Sequence, residues 1–133
     1  MMVAKLITAR SAAIRRRLGI LLSVLVVLML VADGMVDLIA PELLQSEMAA
    51  MGFSPSLATP LGYIILACAI VYAVPRTAFL GAIFVTGFLG GAICAHFRVG
   101  EIGSPPELVS IIIGVFAWGG LYLRDERIPK LLP

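Results

Sequence analysis

The sequence predicts an all-α integral membrane protein, a four-helix bundle with its N- and C-termini cytoplasmic. Three observations carry this. The 133 residues are 61% hydrophobic and only 14% charged, with a mean hydropathy of +1.08, well beyond the roughly half-apolar make-up of a soluble domain. Four apolar runs approach or reach the roughly 17 to 25 residues that cross a hydrocarbon core of about 30 Å. The basic residues gather where short cytoplasmic flanks would lie. This composition excludes a soluble globular enzyme. With a net charge of only +2 and no continuous basic face, it also excludes a disordered or nucleic-acid-binding chain.

Residues 1–17 form a basic segment containing Lys5, Arg10, Arg15, Arg16 and Arg17. The first span, Leu18–Ala40, would be about 35 Å long at 1.5 Å per residue and crosses with some tilt. A positive start before an apolar run also describes a secretory signal, whose core is about 7 to 15 residues long. Here the run passes through Val31, Ala32 and Asp33 to Ala40, so an uncleaved signal-anchor helix is expected. The connection that follows has helical punctuation: Pro41 and Glu42 open it, Leu44, Met48 and Met51 share a face, and Gly52 ends it. A short interfacial helix over 41–52 is the expectation, with an ordered loop as the alternative.

Ser54-Pro55 starts the second span, Leu57–Val74. Val74-Pro75-Arg76-Thr77 allows only a tight turn, making spans two and three antiparallel neighbours. Span three is Phe79–Phe97. In Ser104-Pro105-Pro106-Glu107 a serine N-cap, a proline at the first helical position and a glutamate three residues after the cap predict a capping box opening span four, Leu108–Leu123. A tail over 124–133 carries Arg124, Arg127 and Lys130. With Arg76 these place nine basic residues on one side of the membrane and Arg98 alone on the other.

Span three is rich in small residues. Gly87, Gly91 and Ala95 recur every four residues with Gly90 on an adjoining line, a stripe that lets helix backbones approach in lipid. The expectation is a helix-packing face inside the chain, with a second protomer as the alternative.

Asp33 and Asp37 project from one side of span one in its outer third, where a membrane carboxylate calls for a partner or a wet cavity. His96 and Arg98 end span three at the same level, and Glu101 and Glu107 flank the next loop. Asp33, Asp37, His96 and Arg98 therefore make a candidate polar mouth for binding a ligand. On a helix His96 lies about 180° from Gly87 and Arg98 within about 20° of it. Arg98 is thus the expected partner of the aspartates and His96 the expected interfacial residue. Cys68 and Cys94 form neither a CxxC pair nor a metal-ligand spacing, and they lie at different depths, so no metal site and no disulfide is expected. Trp118, Tyr122, Tyr72 and Tyr63 read as interface-belt aromatics. One histidine supplies no paired haem ligation, and no phosphate-binding glycine loop follows a strand. No catalytic residue is assigned.

The runs Tyr72-Ala73-Val74-Pro75-Arg76-Thr77-Ala78 with Leu80-Gly81-Ala82, Thr86-Gly87-Phe88-Leu89-Gly90-Gly91-Ala92, and His96-Phe97-Arg98-Val99-Gly100 together resemble the DoxX-like family of small bacterial membrane proteins. Met51-Gly52-Phe53-Ser54-Pro55 before Leu61-Gly62, and Trp118 with Leu121 to Arg127, are similar too. The resemblance spans roughly residues 30 to 133. It implies a four-helix protein of the bacterial cytoplasmic (inner) membrane, and the family name comes from a subunit of a thiosulfate:quinone oxidoreductase. A glutamate that many relatives in the wider group carry in span two falls at Ile65 here, which removes one support for transferring redox chemistry.

The function read from all this is a non-catalytic membrane subunit or a binder of a small hydrophobic ligand, quinone or lipid, with no resident cofactor unless quinone itself is one. Its partners would be the lipid bilayer and a membrane protein or a second copy, and no nucleic acid. The alternatives are a membrane subunit of a quinone-linked oxidoreductase complex and a small transporter acting as an oligomer.

Overall fold

A computed structural model describes residues 1–130, with the backbone alone for 2–8. Its helices are α1 (Met2–Ile39), α2 (Gln45–Ala50), α3 (Ala58–Ala73), α4 (Ala78–Arg98) and α5 (Pro105–Arg124), with no strand among the described residues. Among the described residues four stretches are long and apolar enough to cross a membrane: Ala9–Ile39, Pro55–Ala73, Ala78–Arg98 and Pro105–Arg124. Helix satisfies every backbone donor inside its own segment, which is why apolar runs of this length fold this way in lipid.

At 38 residues, α1 continues through the basic segment to Met2 instead of beginning near Leu18. It is about 57 Å long at 1.5 Å per residue, nearly twice the hydrocarbon thickness. Hydropathy bounds the part of a helix that lipid surrounds, whereas helix propensity bounds the helix. From Val3 to Arg17 no glycine or proline interrupts it.

The helices form a ring in which α1 packs along α3 and α5, and α4 closes the bundle by packing on the same two. α1 and α4 thus face each other across it. Single glycines set the closest approaches. Gly19 and Gly120 bring α1 against α5, where a Cβ on Gly120 would stand 2.7 Å from Ser23 Oγ and 3.1 Å from Gly19 O. Gly62 brings α3 onto α1, 3.1 Å from Gly34 O on the same measure. Gly81 sets α4 directly on the Tyr72 backbone of α3 beside the tight turn. Thr77 secures that turn, its hydroxyl donating to Val71 O at 2.8 Å.

The packed core occupies the half of the bundle near the termini. Val26, Tyr72, Val85 and Leu121 are fully buried there, with Ala69, Ala82 and Ala117 filling the closer approaches, and Leu30 and Ile65 continue the core to the level of the cavity. Tyr72 departs from the interface role expected of it. It is 0% exposed, and its hydroxyl donates to Ala117 O at 2.8 Å and accepts from Ser23 Oγ at 3.1 Å. A buried phenol is stable only when its hydroxyl is bonded, and α1 and α5 supply both bonds. The Arg124 guanidinium lies 5.2 Å over that ring and donates to Tyr72 O at 3.1 Å. Beyond α5, Arg127 donates to Pro75 O at 3.2 Å and pairs with Asp125 at 2.7 Å, while Ile128 is buried against the core. Residues 131–133 of the expected tail lie outside the described residues.

Candidate functional site

The half of the bundle away from the termini is hollow. Two helix ends shape it. α2 closes on Gly52 at φ 73°, with Phe53 N–H bonded back to Met48 O at 2.8 Å and Gly52 N–H to Ala49 O at 2.9 Å. α4 closes in the same way on Gly100 at φ 81°, with Glu101 N–H on His96 O at 3.1 Å and Gly100 N–H on Phe97 O at 3.1 Å. Both are Schellman ends, which need a residue free of the Cβ clash at positive φ. The first folds Phe53 back over Met48. The second brings the Glu101 carboxylate to His96, whose Nδ1 lies 2.8 Å from Oε2. Since an ionised carboxylate only accepts, Nδ1 carries the proton in this bond.

Between these ends lies a cavity of about 910 Å³. α1 contributes Asp33 and Asp37 to it, α4 contributes Gly87, Gly91, Ala95 and His96, and α2 roofs it with Glu47 and Met48. Met29, Leu61, Phe88 and Val109 are typical of the rest of its wall, which is mostly apolar. A second hollow of about 570 Å³ runs between α3 and α4 and shares Ile64, Gly87 and Phe88 with the first. The two helices touch backbone to backbone at Gly81 and have parted by Gly87, so the cavity continues into a fissure on the side of the bundle.

Asp37 is only 7% exposed and its Cβ rests against Gly62 on α3. Asp33, one turn before it, and Glu47 on the roof are exposed. Among the described residues neither aspartate, nor Glu47, has a hydrogen bond or an ion pair. No lysine or arginine among those residues lines the cavity.

Three expectations about this region are corrected. Arg98 does not pair with the aspartates. It is exposed, its guanidinium donates to Met51 O and lies 5.5 Å over the Phe53 ring. The carbonyls at the end of α2 lack intrahelical donors and carry the negative end of its dipole, and they claim the cation first. His96, expected at the interface, is instead 4% exposed and lines the cavity. The third correction concerns the small-residue stripe. A Cβ placed on Gly87, Gly90 or Gly91 meets no atom within 4 Å, so no helix of this chain packs closely on them, and the expected packing face inside the chain is not formed. The packing glycines are the isolated ones described above.

Glu47 joins the site unforeseen, although its position carries a signal. It falls at i+3 from Leu44 and i−4 from Met51, on the otherwise apolar face of its helix. The expected capping box is also incomplete. Glu107, 4% exposed, accepts from Gly103 N–H at 2.7 Å, but Ser104 Oγ is buried with no partner. Cys68 is buried, Cys94 is exposed, and both are free thiols. No three histidine, cysteine or carboxylate side chains among the described residues converge closely enough to hold a metal ion.

No curated protein and no solved structure matches this chain. The DoxX-like family does, over residues 21–120, a stretch that includes all of α2, α3 and α4, both aspartates and His96. A multi-pass bundle of four apolar helices whose residues match over that length belongs to the DoxX-like family of membrane proteins.

Proposed function

We propose that this protein is a membrane-embedded binding subunit that takes a small amphiphilic molecule into the hollow half of its bundle. The observation that carries this is the cavity itself. It is a cleft of about 910 Å³ that opens at the bundle surface, and its walls lack the contacts that close packing of the helices would give them. A volume of this size is that of a ligand pocket, and an apolar wall with a few polar groups at one end suits a molecule with an apolar body and a polar head. The fissure between α3 and α4 would give such a molecule a way in from the acyl chains.

Nine of the ten basic residues lie at the termini or in the α3–α4 turn, which supports cytoplasmic termini in a bacterial inner membrane. The α2 roof then faces the opposite side. In this reading the chain contributes shape and charge, and any electron transfer belongs to a protein associated with it.

The test is native mass spectrometry, with lipid and quinone analysis, on protein released gently from its own membrane. One small amphiphile per chain is expected in the wild type. It should be absent from Gly91→Phe, which places a ring in the cavity from a position where the added Cβ meets no atom within 4 Å. A chain that emerges bare, with no ligand recovered at any stage of extraction, overturns the reading.

A further inference from the structure

We propose that the head group this cavity selects is an organic cation, a protonated amine or a quaternary ammonium carried on an apolar body. The inference rests on the binding reading above and specifies its ligand. Asp33, Asp37 and Glu47 line one space, and among the described residues none of them is hydrogen-bonded or paired. Asp37 is more than nine-tenths buried, whereas Asp33 and Glu47 are exposed at the mouth of the same space. A carboxylate buried as Asp37 is costs free energy unless a positive charge offsets it, and two further carboxylates at the mouth add repulsion to that cost.

The described residues do not supply that charge. Arg98, the nearest guanidinium in sequence to the cavity wall, is engaged by Met51 O and the Phe53 ring. His96 is the one basic side chain among them on the wall, and its Nδ1 is bound to Glu101, so even when protonated it is already matched by a carboxylate. The other described arginines, Arg10 to Arg17, Arg76, Arg124 and Arg127, belong to the opposite end of the bundle.

The cation is not a bare metal ion. The carboxylates surround the cavity without converging at ligand distances, whereas hard divalent cations require oxygens at about 2.0 to 2.6 Å. A charge spread over an ammonium group and its substituents tolerates such spacing. The rest of the wall fits the body of the same molecule, being apolar from Met29 through Phe88 to Ile113. Neutral quinones and anionic fatty acids satisfy the apolar wall equally well but leave the three carboxylates unmatched.

The experiment compares three probes of equal chain length, decyltrimethylammonium, decanol and decanoate, with a short-chain ubiquinone as a fourth. Each is titrated into the full chain in uncharged maltoside micelles, and bound copies per chain are counted by native mass spectrometry. Tighter binding of the ammonium than of the alcohol, by about tenfold or more, is expected, with the carboxylate weakest. In Asp33→Asn/Asp37→Asn that preference should fall to about threefold or less while decanol binds as before. Glu47→Gln, on the roof and away from the helix contacts, should reduce it part of the way and guards against a double variant that does not fold. Equal binding of ammonium and alcohol to the wild type, or tighter binding of the quinone, overturns the charge selection and leaves the cavity reading standing. Binding of none of the four overturns both.

Discussion

Gly81 and Gly91, two glycines of the same helix, should respond to alanine with opposite signs. At Gly91 a Cβ meets no atom within 4 Å. Gly91→Ala therefore changes only the conformational freedom of the chain, and removing a mid-helix glycine is favourable by roughly 0.5–1 kcal/mol. At Gly81 the new atom would fall on backbone atoms of Tyr72, with Val71 C 2.7 Å away. Backbone cannot rotate aside, so α3 and α4 must separate next to a turn too short to absorb the movement. Overpacking of this kind costs typically about 1–3 kcal/mol, and a clash with main chain belongs at the upper end. After the same helix-propensity gain, Gly81→Ala should lose about 2 kcal/mol, leaving the two variants about 3 kcal/mol apart.

The assay is equilibrium unfolding in mixed micelles, titrating a denaturing detergent into maltoside. Trp118 is the only tryptophan and reports the packed half, where it stands edge-on to Phe79 with ring centroids 5.9 Å apart. Equal destabilisation by both substitutions would refute the reasoning, because it would mean that the Gly91 face is packed in the working protein. Cross-linking through Cys94 would then ask whether a second copy packs there.

Other outcomes follow from single contacts. Tyr72→Phe removes the hydroxyl shared by Ser23 and Ala117 and should lower stability by about 1 kcal/mol in the same titration, whereas Tyr63→Phe, on the exposed surface, should not. Arg98→Met releases the Met51 carbonyl; amide exchange over residues 45–53 should speed up about fivefold, a loss of roughly 1 kcal/mol, with α5 unchanged. The Arg127 guanidinium holds the Asp125 carboxyl below the usual carboxylate range. That contribution is complete above the unfolded aspartate value of about 3.9 and is lost as pH falls through the depressed folded value. Protease resistance of the chain end should therefore decline in that acid window in the wild type, and Asp125→Asn should remove this pH dependence. Glu107→Gln keeps an acceptor for Gly103 N–H and should melt close to the wild type, while Glu107→Leu strands that donor and should melt lower.

The features visible in the sequence are those that depend on neighbours along the chain. Hydropathy located four crossings, Pro75 forced the turn between α3 and α4, and the four-residue spacing of Asp33 and Asp37 put both on one wall. Tertiary choices were less legible. Helical angles placed Arg98 on the side of Gly87, but its partner was decided by α2, whose terminal carbonyls lie beside it only once the connection folds. The glycine stripe is ambiguous because a small residue is compatible with two opposite arrangements, close approach or open space, and nothing in its spacing separates them. Gly19, Gly34, Gly62, Gly81 and Gly120 make the approaches, and none of them belongs to the stripe. Glu47 is hidden for a related reason: one charge on a short amphipathic helix ordinarily meets water, and Glu47, though exposed, also borders the cavity beneath α2.

The division of the bundle into a packed half and a hollow half has a consequence for how such a protein changes over time. Some contacts that hold the helices in register, among them Tyr72 with Ser23 and Ala117 and Gly81 against Tyr72, lie apart from the cavity wall, whereas Leu30, Leu89, Ile113, Met29, Phe88 and Asp37 serve both. Substitutions at the wall positions outside that shared set therefore alter what is recognised with little effect on folding. A lineage can exchange one guest molecule for another by drifting through neighbouring sequences that all still assemble, and the scaffold records ancestry while the chamber records the current occupant.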